Sequence, residues 1–529
     1  MALRLLRSLA FVLLIVTALS AQTDPRLDRL VTETVDRARK EFNVPGMAVA
    51  VVHEGKVVLA RGFGVRKLGE PAPVTPNTLF AIASNSKAFT SAALAMLVDE
   101  GKLAWDDRVI DRLPEFAMSD AYVTREMRIR DLLCHRSGLG LGAGDLMFFP
   151  RSDLTPEQIL YRLRFVPLAT SFRSEYAYDN VLYLVAGAVV QRISGLTWQQ
   201  FIRQRFYQPL GMTGSRTSIN DVSSSDDVAH PHSVTDGKLT ALPLGSLALE
   251  NNAPAGALVS SVADLSKWVT TLLNRGQTSD GKKLLSEAQV KELWKPLIVL
   301  HPPDPPAPIA ESRSNFVAYA LGEGVRDYRG RLMITHTGGL LGMVTQVTMI
   351  PDLKLGVIVL TNQEVGAAFS SVSNTVLDHY LNAPPKDWVA AYAQVKKERE
   401  AEAHKTVADA SAKRNARSKP SLPLASYAGR YRDPWYGDVV IEAKNGGLVM
   451  RFTHSPALTG ALEHWQFDTF IARWTDRSLL ADAYVTFSLD PDGAITGVKM
   501  KAVSPLTDFS FDFHDLALSP APAGSPPRE

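Results

Sequence analysis

The chain has 529 residues, which is too long for one ordinary hydrophobic core and predicts two domains. Hydrophobic residues make up 46% of the sequence and charged residues 21%, a balance that is typical of soluble globular proteins. The formal net charge is only +2, so the chain lacks the excess of positive charge on which nucleic-acid affinity depends, and we set aside a nucleic-acid partner.

The first 21 residues have the pattern of a cleaved secretory signal. Arg4 and Arg7 precede an apolar run from Leu9 to Leu19, and small residues follow it. This run is shorter than the roughly 20 apolar residues that a membrane span needs. We therefore expect an exported protein, periplasmic or secreted, with no stable membrane anchor after the signal is cleaved.

The next elements, in residues 22–385, predict a sandwich of a sheet and helices. A helical stripe begins at Leu27, and two strands follow in residues 46–62. After a region of mixed helices and loops to about residue 300, a further set of strands and one helix is predicted at 331–335, 344–350, 355–361 and 367–381. Strands at both ends of a domain, with helices between them, predict an α+β or α/β sandwich.

The composition changes after residue 385. Residues 386–420 contain a charged run from Lys396 to Lys405, which predicts a solvated helical linker. Residues 421–518 show short strands separated by Gly- and Asp-containing turns, the pattern of a small all-β domain, sandwich or barrel. The tail, residues 519–529, is rich in Pro and Ala and is expected to be disordered.

Ser84 and Lys87 open a predicted helix directly after an apolar segment. Residues three apart lie on one face of a helix, so the hydroxyl and the amine can meet. A serine hydroxyl is a poor nucleophile unless a base takes its proton, and a lysine is such a base only when burial or neighbouring charge lowers its pKa. The S-x-x-K pattern alone is weak, because Ser279 and Lys282 repeat it in an Asp-Gly turn.

Tyr178 and Asn180 precede an apolar helix that runs from Val181 to Ile193. The Tyr178 phenol can act as a second proton carrier, besides Lys87, if neighbouring cations lower its pKa, and the Asn180 amide can donate a hydrogen bond to a substrate carbonyl. The Y-x-N pattern is also short, and it recurs at residues 380–382.

The last candidate motif follows the strand at 331–335 and consists of His336, Thr337, Gly338 and Gly339. Two glycines on a strand let a substrate backbone approach closely and leave amide groups free for an oxyanion. The alternative for His336 is a satisfied polar side chain on a turn. A histidine pair elsewhere in the chain, His230 and His232, offers too few ligands for a metal.

The order S-x-x-K, Y-x-N and H-T-G resembles the serine β-lactamase and penicillin-binding-protein superfamily, in its class C-related branch. Further segments that resemble this family are 132–139, 207–213, 254–265 and 356–362. The resemblance covers residues 27–381 and implies the β-lactamase/transpeptidase-like fold, an antiparallel sheet flanked by helices with an additional all-helical region. Residues 427–442 resemble the lipocalin-like β domain that is appended to many such hydrolases.

The resemblance implies a serine hydrolase that cleaves amide or ester bonds through an acyl-enzyme on Ser84, as an esterase, D-aminopeptidase or D-Ala-D-Ala carboxypeptidase does. Lys87 and Tyr178 would share the proton transfers, the backbone N–H groups of Ser84 and Gly339 would form the oxyanion hole, and Asn180 would orient the acyl side of the substrate. The implied substrate is a small molecule or a short peptide, and neither a metal nor another cofactor is required. The oligomeric state is left open.

One residue departs from the class C pattern. Most class C β-lactamases carry Lys where His336 stands, and a histidine, mostly neutral at pH 7, recognises a substrate carboxylate weakly. We therefore do not expect efficient β-lactam hydrolysis, although a true class C-type β-lactamase is one alternative. A non-catalytic penicillin- or cell-wall-binding protein is the other, but the presence of Ser84, Lys87 and Tyr178 favours an enzyme. A Ser-His-Asp hydrolase is not supported, because the chain has no G-x-S-x-G motif.

Overall fold

The computed structural model describes residues 24–522. The predicted secretory signal at 1–21 and the last part of the tail, residues 523–529, therefore lie outside the described residues. The described chain contains a large sheet with helices on both faces, followed by a long helix and a separate all-β domain.

The first domain is built on an eight-stranded sheet with the order β2-β1-β12-β11-β10-β9-β8-β7, in which every neighbouring pair is antiparallel. The strands of this domain are β1 (Gly46–His53), β2 (Lys56–Gly64), β3 (Phe80–Ala81), β4 (His232–Thr235), β5 (Lys238–Ala241), β6 (Val259–Ser260), β7 (Ile298–Leu300), β8 (Val317–Tyr319), β9 (Gly324–Tyr328), β10 (Arg331–Leu340), β11 (Met343–Ile350) and β12 (Leu355–Thr361). Strands β3 and β6 form one small ribbon, and β4 and β5 form another. The predicted sandwich with an antiparallel sheet is confirmed.

The helices cover both faces of this sheet. They are α1 (Pro25–Glu41), α2 (Ser86–Asp99), α3 (Val109–Arg112), α4 (Ala121–Glu126), α5 (Pro156–Arg162), α6 (Val181–Ser194), α7 (Trp198–Ile202), α8 (Gln208–Leu210), α9 (Ala253–Gly256), α10 (Val262–Leu273), α11 (Glu287–Leu293), α12 (Gly366–Tyr380) and α13 (Trp388–Lys413). Within residues 24–522 no single helix is long and apolar enough to cross a membrane. Helix α6 and the helical segment 198–210 together have the required length and apolar composition, but a bend of 72° separates them.

Strand β1 shows why both faces must be covered. Successive side chains of a strand point to opposite faces. Met47, Val49 and Val51 pack into a core with α1 and α12, whereas Ala48 and Ala50 pack into the larger core that contains α2, α6 and α10. All of these side chains are fully buried, so the continuous apolar sequence of β1 matches a central strand.

The C-terminal domain is a nearly closed barrel. Its strands are β13 (Gly429–Asp433), β14 (Gly437–Lys444), β15 (Gly447–Phe452), β16 (Thr459–Gln466), β17 (Thr469–Trp474), β18 (Ala483–Leu489), β19 (Ile495–Ala502) and β20 (Ser519–Pro520). Strand β20 pairs with β13 at one end of the sheet order, and a bridge between Val498 and Leu518 brings β19 at the other end against the same segment. The predicted small all-β domain is confirmed.

The predicted disorder of residues 519–529 is wrong for the part that the structure describes. Ser519 and Pro520 form β20, and the Ala521 N–H donates to the Arg430 carbonyl at 2.8 Å. The composition of the tail suggested no structure, but the open edge of β13 supplies hydrogen-bond partners that a proline-containing segment can use on an edge.

Candidate active site

Ser84 lies in a sharp turn between β3 and α2. The turn is a 3-10 helix, Ala83–Asn85, and it starts at Ala83 with a φ of 48°, in the left-handed region that residues with a side chain adopt only at a cost. The turn leaves the Ser84 side chain partly exposed at a cavity, whereas the helix that follows is buried along most of its length.

The Lys87 amine lies one helical turn away and faces Ser84. Its Nζ is 3.0 Å from Ser84 Oγ, and it donates to Asn180 Oδ1 at 2.7 Å and to the Ala255 carbonyl at 3.0 Å. Of the three directions in which Nζ can form hydrogen bonds, two therefore point at these acceptors, and the third points at the Ser84 hydroxyl. Complete burial lowers the pKa of Lys87 to about 7, although the carboxyl groups of Asp145 and Asp179 oppose this shift. The amine is therefore able to accept a proton near neutral pH.

Tyr178 reaches the same point from the loop before α6. Its phenol is hydrogen-bonded to Ser84, and the Lys87 amine lies 4.9 Å from the centre of its ring. The condition that the sequence sets for this role, a pKa lowered by cations, is not met: burial raises the pKa of Tyr178 well above its ordinary value, and the hydrogen bond to Ser84 only partly offsets the rise. The side chain is therefore a protonated phenol, which can donate a proton.

Asn180, the N-terminal cap of α6, joins the lysine to a buried carboxyl group. Its Oδ1 accepts from Lys87, and its Nδ2 donates to Asp145 Oδ2 at 2.7 Å. A side-chain amide has two hydrogens, so only one is left for the substrate contact that the sequence predicts. Holding Lys87 is a role for Asn180 that the sequence did not suggest.

Asp145 is the main residue of the site that sequence reasoning missed. It is fully buried, and burial raises its pKa to about 8. It belongs to a short 3-10 helix, Asp145–Met147, in a segment where no motif marks it. Another missed neighbour is His135, whose ring lies 4.2 Å from the Tyr178 ring and whose pKa is held well below its usual range by burial. Only the tertiary fold brings these residues to Lys87.

His336 is neutral and has a partner at each nitrogen. Its Nε2 lies 2.7 Å from the Tyr319 hydroxyl and its Nδ1 lies 2.5 Å from the Thr337 carbonyl, so the ring accepts at Nε2 and donates at Nδ1. Burial, with the nearby Lys87 amine, lowers the pKa of His336 to about 3. The ring lines the cavity but offers no positive charge to a substrate carboxylate.

The two glycines of β10 differ in their surroundings. A Cβ on Gly338 would lie 2.1 Å from the Ile82 carbonyl oxygen, so this glycine lets β10 pack against the turn that carries Ser84. A Cβ on Gly339 would meet nothing closer than Val344 Cγ1 at 3.9 Å. The sequence predicts that both glycines allow a substrate to approach closely, but the space beside Gly338 is filled by the backbone of Ile82.

This contrast gives a matched pair of variants. We expect Gly338→Ala to lower the free energy of unfolding by about 1–3 kcal/mol, the usual cost of overpacking, and to displace Ser84 enough to reduce hydrolysis more than tenfold. Gly339→Ala has space for the methyl group, so its free energy of unfolding should stay close to that of the wild type. Thermal unfolding and ester hydrolysis measure the difference, and equal behaviour of the two variants would contradict this reading.

The edge of β10 beside the site is open. Strand β9 pairs with β10 only from Arg331 to Thr335, so among residues 24–522 the segment from His336 to Leu340 has no strand neighbour on that side. Thr337 is exposed on this segment. The unpaired backbone groups of an edge are able to bind an extended ligand.

A single cavity of about 630 Å³ connects these groups. Ser84, Tyr178, Asn180 and residues 336–339 all line it, and Lys87 lies buried behind them. Most of the remaining lining is aromatic or aliphatic, and includes Phe148, Phe149, Tyr176, Leu249, Leu300, Tyr319, Phe369 and Phe509. Such a cavity suits a small molecule or a short peptide that carries apolar groups.

The sequence model of the Beta-lactamase family matches residues 27–381, and that of a domain of unknown function (DUF3471) matches residues 413–520. Unguisins hydrolase ungD from Aspergillus violaceofuscus (strain CBS 115571) is 28% identical over 87% of this chain and 85% of its own. Penicillin-binding protein 4 from Amycolatopsis lactamdurans is 29% identical over 64% of this chain and 86% of its own. The octameric penicillin-binding protein homologue from Pyrococcus abyssi is 21% identical, with a TM-score of 0.60 over 93% of this chain and 99% of that structure, a likeness of fold.

Proposed function

The chain belongs to the beta-lactamase family, and from this membership and the surroundings of Ser84 we propose that it is a serine hydrolase that cleaves ester or amide bonds through an acyl-enzyme on Ser84. The observation that carries the proposal is the 3.0 Å contact between Ser84 Oγ and a fully buried lysine amine. The hydrolase name of one relative supports the same class of activity.

In the proposed first step, neutral Lys87 takes the proton of Ser84 while Oγ attacks the substrate carbonyl. The carbonyl oxygen becomes an oxyanion, which the backbone N–H groups of Ser84 and Gly339 would stabilise at the positive end of α2. Collapse of this intermediate breaks the bond to the leaving group. The Tyr178 hydroxyl donates the proton that the leaving group needs, and the protonated Lys87 returns a proton to Tyr178.

In the second step, water replaces the leaving group. Lys87, neutral again, takes a proton from the water, whose oxygen attacks the acyl carbon. The protonated Lys87 then gives this proton to Ser84 Oγ as the bond between Oγ and the acyl carbon breaks. The products are a carboxylic acid and the starting enzyme. No step in this sequence uses a metal or another cofactor.

The surroundings of His336 support a substrate that is not recognised through a carboxylate at this position. The ring is neutral and its two nitrogens are occupied by Tyr319 and Thr337. The apolar lining of the cavity favours uncharged acyl groups. We therefore propose an esterase or peptidase acting on small molecules or short peptides, with little activity on β-lactams.

A substrate panel with covalent labelling tests this function. The panel contains p-nitrophenyl esters, D- and L-aminoacyl anilides, a D-Ala-D-Ala peptide and nitrocefin, and a fluorophosphonate probe is mapped by mass spectrometry. We expect turnover of an ester or anilide and an adduct on Ser84. An adduct on another residue would refute the proposed nucleophile, efficient nitrocefin turnover would favour a β-lactamase, and penicillin acylation without turnover of any substrate would favour the non-catalytic binding protein.

The pH dependence of hydrolysis should follow the state of Lys87. Because the pKa of this amine is about 7 and only its neutral form accepts a proton, kcat/KM should fall by up to tenfold per pH unit below about pH 7. An unburied lysine would place this limb near pH 10. Burial raises the pKa of Asp145 to about 8 and that of Asp179 to about 7. The apparent pKa of the acid limb therefore belongs to the three interacting groups Lys87, Asp145 and Asp179 together. If kcat/KM for a neutral ester showed no acid limb between about pH 6 and 8, this assignment would be contradicted.

A further inference from the structure

The C-terminal domain contributes one loop, residues 508–512, to the wall of the cavity. Asp508, Phe509 and Ser510 line the cavity together with Ser84. The Phe509 ring lies edge-on to the Tyr178 ring, with 5.7 Å between their centres. A domain that the sequence places beyond a helical linker therefore reaches the reacting groups.

Buried hydrogen bonds connect this loop to the Lys87 amine. Ser510 Oγ donates to Asp145 Oδ2 at 2.8 Å, and the same oxygen accepts from Asn180 Nδ2 at 2.7 Å. Asn180 Oδ1 in turn accepts from Lys87 Nζ at 2.7 Å. Ser510, Asp145, Asn180 and Lys87 are all buried, with at most 9% of any of them exposed, and hydrogen bonds in such a low-dielectric environment are stronger than in water.

The same loop also fixes the backbone around Asp145. The Asp512 carboxyl group accepts from the N–H groups of Gly144 at 2.7 Å and Leu146 at 3.2 Å. The packing is close, because a Cβ on Gly142 would lie 2.6 Å from the Phe509 carbonyl oxygen. Both the backbone and the side chain of Asp145 are thus held by the C-terminal domain.

Asp145 has few other partners. Its Oδ1 is buried and has no hydrogen-bond partner among residues 24–522. Asn180 and Ser510 are therefore the donors on which the orientation of this carboxyl group depends. If the group turned, Asn180 would lose the bond that directs its Oδ1 at Lys87.

We propose that Ser510 is a positioning residue for the hydrolysis, holding the Lys87 amine against Ser84 through Asp145 and Asn180, so that the C-terminal domain completes the active site. This inference rests on the proposed function of Ser84 and Lys87. It assigns to the C-terminal domain a part in the reaction and not only a part in packing.

The test compares Ser510→Ala, Ser510→Thr and Ser504→Ala in the full chain. Ser504 is a matched control, because it lies in the same domain and its hydroxyl accepts from the nearby Leu506 N–H, away from the cavity. For Ser510→Ala we expect kcat for a neutral ester to fall roughly tenfold, the scale of one lost buried hydrogen bond. Ser510→Thr keeps the hydroxyl and should recover most of the rate, and Ser504→Ala should match wild type.

The pH profile separates positioning from general packing. The titratable groups that face the Lys87 amine are Asp145, Asp179, His135, His336, Tyr178 and Tyr183. Of these, Asp145 is the one that accepts a hydrogen bond from Ser510. A carboxyl group that loses a donor is less stable as an anion, so it supports the charged amine less, and the acid limb of kcat/KM should move to lower pH in Ser510→Ala.

The possible results separate this inference from the proposed function. Thermal unfolding first establishes that Ser510→Ala is folded. A wild-type rate and profile in Ser510→Ala, or a lower rate with an unmoved acid limb, would overturn the positioning role while Ser84 remained the nucleophile. Retained activity in Ser84→Ala would instead overturn the proposed function itself.

Discussion

Ser84→Ala should lower kcat/KM by roughly 10⁴-fold or more, because it removes the hydroxyl that forms the proposed covalent bond to the substrate. The Ser84 Oγ is the oxygen that both the Lys87 amine and the Tyr178 phenol approach. Removing a partly exposed hydroxyl leaves the surrounding packing intact, so the melting temperature should change little. Initial rates with a p-nitrophenyl ester measure the effect.

The chain supplies its own control for this variant. Ser279 and Lys282 repeat the S-x-x-K spacing, but both are exposed in a turn, where Lys282 pairs with Asp280. Ser279→Ala should therefore have wild-type activity. A Ser84→Ala enzyme that keeps more than a few per cent of the rate would mean that another residue is the nucleophile.

Lys87→Met should lower kcat/KM by about 10³-fold, within the usual range for the loss of a general base. Methionine fills a similar volume without a group that accepts a proton, and it leaves Asn180 Oδ1 and the Ala255 carbonyl without their donor. The acid limb near pH 7 should disappear from the residual activity, because the amine that must lose its proton is absent. The measurement is a pH profile of each variant beside its thermal unfolding curve.

Two further variants make this result specific. Lys87→Arg keeps a positive charge and several donors but cannot lose a proton near neutral pH, so it should be as inactive as Lys87→Met. Activity in Lys87→Arg would show that charge, and not proton transfer, is what Lys87 provides. Lys282→Met, in the exposed copy of the motif, should behave as wild type.

The features of the site that could be predicted from sequence are those set by residues close together in the chain. A spacing of three on a helix brings Ser84 and Lys87 together whatever the rest of the fold does. The apolar run after Asn180 likewise predicts α6, which the structure places at Val181–Ser194 with Gly195 as its left-handed cap. The antiparallel sheet and the β domain were also predicted, from strand patterns and from the resemblance to known hydrolases.

The remaining part depends on contacts between distant segments. Asp145 and Ser510 are 365 residues apart in the chain and meet only because the barrel docks on the first domain. The direction of a pKa shift has the same origin: the sequence suggests that a cation could lower the pKa of Tyr178, but burial in the folded protein raises that pKa. The spacing of residues in the sequence does not indicate burial that arises from tertiary contacts.

The loop at residues 508–512, which lines part of the cavity, is also synthesised late. Chains are synthesised from the N-terminus, and domains generally fold as they emerge. Of the residues that line the cavity, Asp508, Phe509 and Ser510 are the last to be made, long after Ser84, and β20, which joins β13 in the barrel, follows them. A nascent chain therefore carries Ser84 well before the loop that completes this wall of the cavity is made, and we expect the proposed hydrolytic activity only at a late stage of synthesis.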